Sequence, residues 1–207
     1  LLSKVFGYFN LLVFANLYIP SEYGKAAFVY SLFNIVLFVT CLGLPDTLVP
    51  WIIRKKDTSS VFYFLLIVNA VFFLAGIAVA SKYLWVLPFV LLLPFVLIDH
   101  TARAILKADY KYHISQMASN IFVALILVLA ILFKDYQKFG IVLAFSIAYF
   151  IPIIFLFFKT KDKLGIIISR FQLRISTIKE YVKKGFSTAI IAASFAFLPW
   201  IDASILG

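Results

Sequence analysis

Long apolar runs separated by short polar clusters set the elements of this chain. Seven runs, near residues 1–18, 23–53, 60–81, 84–107, 114–133, 139–158 and 182–207, each reach about the twenty residues that a helical membrane crossing needs. Seven helices are predicted. Three connections are short, at residues 19–22, 82–83 and 134–138, and the others hold most of the charge. The second run is too long for one straight crossing: as a helix it would measure roughly 46 Å at 1.5 Å per residue, against a hydrocarbon slab of ~30 Å. Gly43 and Pro45 supply a bend, because proline removes a backbone donor and clashes with the preceding turn. The polar backbone freed by a kink needs a neighbouring helix or a wet cavity, so a broken helix points to a protein-lined interior. Asp46 follows the proline directly. It reads either as a carboxylate lining a cavity or as the first turn of a restarted helix, where the positive end of the dipole favours an anion.

Two further patterns stand out. Asp99, Arg103 and Lys107 recur every four residues at the end of the fourth run, on one helical face, and either line the inner half of a cavity or meet the cytosol. Apolar Ile167, Phe171, Ile175, Ile178 and Val182 are spaced by four, four, three and four, with Arg170, Arg174, Lys179 and Lys183 elsewhere on the wheel. That predicts an amphipathic helix over 166–184 lying in the membrane interface between two groups of crossings.

Composition then settles the class. With 64% hydrophobic and 14% charged residues and a mean hydropathy of +1.06, the chain departs from soluble domains, whose apolar share is near one half. An integral membrane protein is expected. The net charge of +10 reads as topology rather than as nucleic-acid binding. Fifteen of the nineteen Lys and Arg fall at the N-terminus and in the second, fourth and sixth connections, and four, Lys25, Lys82, Lys134 and Lys138, fall on the other side. The excess predicts a cytoplasmic N-terminus and an outer Gly207. The first run has no convincing cleavage site and is read as a retained helix, and both chain ends read as cut. Cys41 is the single cysteine, so no disulfide is expected; His100 and His113 lack partners at metal spacing, and no cofactor is expected. Tyr18, Tyr23, Tyr83, Trp85 and Tyr136 fall at span ends, as an aromatic belt would.

The opening LLSKVFGYFNLLVFANLY, the following IPSEYGKAAFVYSL and CLGLPDTLVPWIIRKKD resemble the start of prokaryotic polysaccharide flippases of the Wzx type, in the superfamily that includes multidrug and toxic compound extruders and lipid II flippases. ARAILKADYKYHISQMASN and the ending LPWIDASILG add to the likeness, which is diffuse and spans the whole chain. The resemblance implies an all-α integral membrane fold. Residues 1–160 would form a six-helix N-terminal lobe of a two-lobe alternating-access transporter, 161–181 a cytoplasmic amphipathic linker, and 182–207 the seventh helix, which begins the second lobe. It implies export of a polyprenyl-pyrophosphate-linked oligosaccharide across the cell membrane for surface-polysaccharide synthesis, with lipid-linked glycan, membrane lipids and possible polysaccharide-assembly proteins as partners. Lys4 and Arg54 become the candidate phosphate-binding cations, while Asn10 stands near where the family often has an arginine. With Asp46, Asp99, Arg103 and Asp202 they complete the cavity candidates. Two alternatives stay open: a cation-coupled drug extruder of the same superfamily, and a membrane enzyme acting on polyprenyl phosphates through Asp99, His100, Asp109 and His113.

Overall fold

Every element in the computed structural model is helical, and there is no strand among the residues it describes, which are 13–14, 16–41, 47–54 and 56–186. Helix α1 spans Pro20–Cys41, α2 Leu48–Ile53, α3 Thr58–Ala80, α4 Leu87–Ala108, α5 Tyr112–Leu132 and α6 Gln137–Ser169. A final helix, α7, covers 175–186, and single 3-10 turns, Leu84–Val86 and Lys134–Tyr136, lead into α4 and α6. Local chemistry sets the starts. Pro20 opens α1, where its fixed φ and missing N–H cost nothing, with Glu22 in the first turn. The Glu-Tyr-Gly stretch thus belongs to the helix rather than to the turn before it. Asp57 caps α3, its carboxylate accepting from Ser60 N at 3.1 Å and from Ser60 Oγ at 2.6 Å.

Four of these segments, Thr58–Ala80, Leu84–Ala108, Tyr112–Leu132 and Lys134–Ser169, are long and apolar enough to cross a membrane. Their outer faces fit that solvent. Val71, Leu74, Val128 and Phe158 lie more than half exposed along the flanks, surface that would aggregate in water and that hydrocarbon accepts. Between the helices, small residues let the backbones approach: Ala102 and Ala104 on α4, Ala118 on α5 and Ala144 and Ala148 on α6 are fully buried. Phe145 centres the aromatic packing, with ring centroids 5.6 Å from Phe14, 4.5 Å from Tyr30 and 6.3 Å from Phe122.

The charges separate to the two ends of the bundle. At one end Glu22 takes Lys25 at 2.6 Å and Lys138 at 3.1 Å, and Tyr18 donates to the Ala130 carbonyl at 2.7 Å. At the other, Lys56 and Lys184 flank Glu180 at 2.7 and 2.8 Å, Lys163 meets Asp109, and Arg174 Nε lies 3.9 Å from Asp57. The basic-rich and basic-poor connections read from the sequence therefore do form opposite ends.

Two expected boundaries move. The sixth helix runs on through residue 160 to Ser169, so 161–169 extend α6 instead of starting a linker. The amphipathic period over 166–184 is cut by a non-helical stretch at 170–174. The physical reason is contact with α3. Tyr63 donates to the Ile168 carbonyl, Phe171 packs edge-on against Tyr63 at 4.8 Å, and Arg174 N donates to Ser60 Oγ at 3.0 Å. Those contacts turn the chain where the apolar spacing alone would have continued it. The described part of the second run forms α1, as far as Cys41, and α2, from Leu48. Gly43, Pro45 and Asp46 lie outside the described residues, and α2 begins two residues beyond Asp46, with Thr47 at its cap position.

Candidate functional site

Inside this apolar bundle a buried carboxylate, Asp99, pairs with a half-buried arginine, Arg103. Asp99 and Arg103 sit one turn apart on α4, which presents both toward α5 and α6. Arg103 Nε donates to Asp99 Oδ2 at 2.8 Å, and the Tyr149 hydroxyl on α6 lies 3.4 Å from the same oxygen. Arg103 Nη1 reaches across to α5, donating to the Ser115 carbonyl at 3.1 Å and to Ser119 Oγ at 3.0 Å. Asp99 is 1% exposed. Asp99 is therefore out of solvent, while Arg103, its side chain 18% exposed, and Lys107, next along the stripe, are only half-buried. A charge at such depth is tolerated because its partner and three donors and acceptors on two further helices replace water. What the arrangement does chemically is to tie three helices at one level with no net charge.

Two polar groups near this level keep unmet capacity. Among the described residues, none donates to Asp99 Oδ1 and none partners either amide atom of Asn69, 2% exposed on α3. Gly76 of α3 lies against Val90 of α4, and these neighbours in sequence run antiparallel, so seven residues along each helix Asn69 reaches the depth of Leu97, within a turn of Asp99. Sequence reasoning missed Asn69, Tyr149, Ser115 and Ser119. Each was visible as a polar residue in an apolar run, and Ser115 and Ser119 share one face by their spacing of four.

Arg54 stands elsewhere. It follows α2 at the basic end, exposed, and its guanidinium pairs with no described residue. Its neighbours at that end are engaged: Lys56 with Glu180, Lys163 with Asp109 and Arg174 with Asp57. Lys56 Nζ also lies 4.9 Å over the Trp51 ring of α2. α7 completes this end, the Tyr181 hydroxyl donating to the Cys41 carbonyl at 3.2 Å and its ring meeting Trp51 edge-on at 5.9 Å. Lys184 and then Lys56, both hydrogen-bonded to Glu180, hold its carboxyl down at about 2.

The structure thus brings Asp99 and Arg103 together and leaves Arg54 apart from them. Lys4, Asn10, Asp46 and Asp202 lie outside the described residues. The enzyme alternative needs Asp99, His100, Asp109 and His113 in one place. Asp99 is sealed by Arg103, Asp109 is held by Lys163, His113 is exposed, and no group of three His, Cys, Asp or Glu suited to a metal occurs among the described residues. No protein-family model matches the chain, and no curated protein and no solved structure shows significant similarity to it.

Proposed function

We propose that this chain is the first lobe of a flippase that carries a polyprenyl-pyrophosphate-linked oligosaccharide from the cytoplasmic to the outer leaflet of the cell membrane. In this reading 1–160 supply the lobe, with its last helix prolonged to Ser169, the segment 170–186 hands the chain to a seventh crossing, and the N-terminus is cytoplasmic. The reading rests on the resemblance of the opening segments and the Asp202–Gly207 ending. One structural observation supports it: Arg54 is an exposed guanidinium directly after α2, paired with no described residue, at the basic end, where Lys56, Lys163 and Arg174 are each held by a carboxylate. A pyrophosphate carries about two negative charges and takes bidentate hydrogen bonds from such a fork. Arg54 would receive the headgroup at the entrance, with Lys4 as its companion. Asp99 and Arg103 would hold the lobe rigid while the glycan passes.

The test is flipping of a lipid-linked glycan by the full-length protein in proteoliposomes. Arg54→Ala and Lys4→Ala each lower the rate at unchanged protein level, and the pair lowers it further. Wild-type rates from the paired variant would reduce both residues to topology signals and remove the anion site from this lobe.

A further inference from the structure

Between α1, α3 and α4, near the end that carries Lys25, lies an apolar groove of about 540 Å³. Its size falls within the roughly 300–1,000 Å³ of small-molecule sites. Phe33, Phe89 and Leu93 form a buried floor, the first two stacked at 4.9 Å. Phe28, Leu32 and Val79 form a rim exposed on the bundle's flank. Gly76 shapes one wall: a Cβ there would come within 2.9 Å of Val90 Cγ1, so glycine lets α3 lie directly on α4 beside the groove.

Polarity is confined to the mouth. Among the described residues lining the groove, Lys25 is the one that is charged. Its neighbour Glu22 is shared between Lys25, at 2.6 Å, and Lys138, at 3.1 Å, so two ammonium groups face one carboxylate and a positive charge remains. Lys138 Nζ in turn stands 5.9 Å over the Trp85 ring, which lines the groove. Tyr83 and Trp85 mark this depth as the headgroup level, where amphipathic rings settle.

We propose that the groove seats one acyl chain of an anionic phospholipid, with the phosphate on Lys25. Away from Lys25, Tyr83 and Trp85 at the mouth, the described lining is aliphatic or phenylalanine and has no side-chain hydrogen-bonding group, and a void on a membrane-facing flank is filled by the hydrocarbon beside it. The positive mouth selects the headgroup: a lysine near an anionic lipid favours it over a zwitterionic one by about fivefold. This site is separate from Arg54 and needs no transport, so it stands or falls independently of the flippase reading.

The experiment compares lipid retained by the full chain after reconstitution in nanodiscs of equal phosphatidylcholine and phosphatidylglycerol and gentle detergent extraction, read by native mass spectrometry. Wild-type protein keeps one phosphatidylglycerol in about fivefold excess over phosphatidylcholine. Lys25→Gln leaves Glu22 balanced by Lys138 alone and abolishes the preference, while Val79→Trp fills the rim and abolishes retention of either lipid. Both substitutions are at exposed positions, and unchanged melting in detergent establishes that the variants fold. No retained lipid, or equal retention of the two by wild-type protein, overturns the proposal. A Val79→Trp chain that keeps its lipid overturns the placement, and a Lys25→Gln chain that keeps the preference overturns the role of the lysine.

Discussion

Tyr149 on α6 and Arg103 on α4 converge on the same oxygen of Asp99, at 3.4 and 2.8 Å. A carboxylate so placed depends on its cation, because breaking a buried pair from one side leaves an uncompensated charge in a low-dielectric interior. Arg103→Ala is therefore expected to destabilise the protein by about 3–5 kcal/mol. Adding Asp99→Asn to Arg103→Gln removes both charges and should restore much of that loss. Thermal unfolding in detergent measures both, and equal melting of wild type and Arg103→Ala would show that the pair holds nothing together.

The junction of α5 and α6 gives a sharper steric test. An added Cβ on Gly140 would stand 2.0 Å from the Phe133 carbonyl oxygen, a backbone atom that cannot swing away, whereas one on Gly165 would meet no described atom within 4 Å beyond its chain neighbours and its own helix backbone. Gly140→Ala should cost about 1–3 kcal/mol, the usual size of overpacking. Gly165→Ala, in the same helix, should be neutral or stabilise by about 0.5–1 kcal/mol through the entropy of the unfolded chain. Melting curves for the two variants side by side check the contrast, and a Gly140→Ala protein as stable as Gly165→Ala would contradict it.

Glu180 predicts a pH dependence of definite sign. Its carboxyl lies at about 2 in the folded protein against an ordinary value of 4.5, because Lys184 and Lys56 donate to its charged form. A depressed carboxylate contributes stability that is complete above its unfolded value and is lost as pH falls through the folded one. The stability difference between wild type and Glu180→Gln should thus be constant above about pH 5 and shrink toward zero near pH 2. The group is exposed, so added salt should shrink it too. A difference that grew on acidification would reverse the assignment.

How much of this was legible in the chain depended on the range of the contact. Runs of apolar residues are local, and the crossings at Thr58–Ala80, Leu84–Ala108 and Tyr112–Leu132 lie within a few residues of the predicted spans. The partition of charge was legible too, since it is a sum over connections. What failed was anything fixed at a distance. The turn at 170–174 is set by Ser60 and Tyr63, more than a hundred positions earlier, and no period within 166–184 records them. The Asp99–Arg103 pair was visible as a spacing of four, yet whether it met water depended on Ser115, Ser119 and Tyr149 from two other helices. Asn69 was passed over because a single amide in an apolar run carries no pattern of its own.

The two charged ends predict which residues share a side of the membrane. Lys163 pairs with Asp109, and the adjoining connections hold Lys56, Arg174 and Lys184, whereas Glu22 and Lys138 pair at the opposite end beside Lys25. Connections rich in lysine and arginine stay cytoplasmic because those side chains resist translocation, so the end with Lys163 should face the cytoplasm and the end with Glu22 and Lys134 the outside. Cys41 is buried, and Cys41→Ala gives a background without thiols for single cysteines at positions 22, 134 and 163. In intact cells an impermeant maleimide should label positions 22 and 134 and reach 163 only after permeabilisation. Labelling of 163 from outside with none at 22 would invert the protein in the membrane and, with it, place Arg54 on the leaflet from which a glycolipid leaves rather than the one from which it enters.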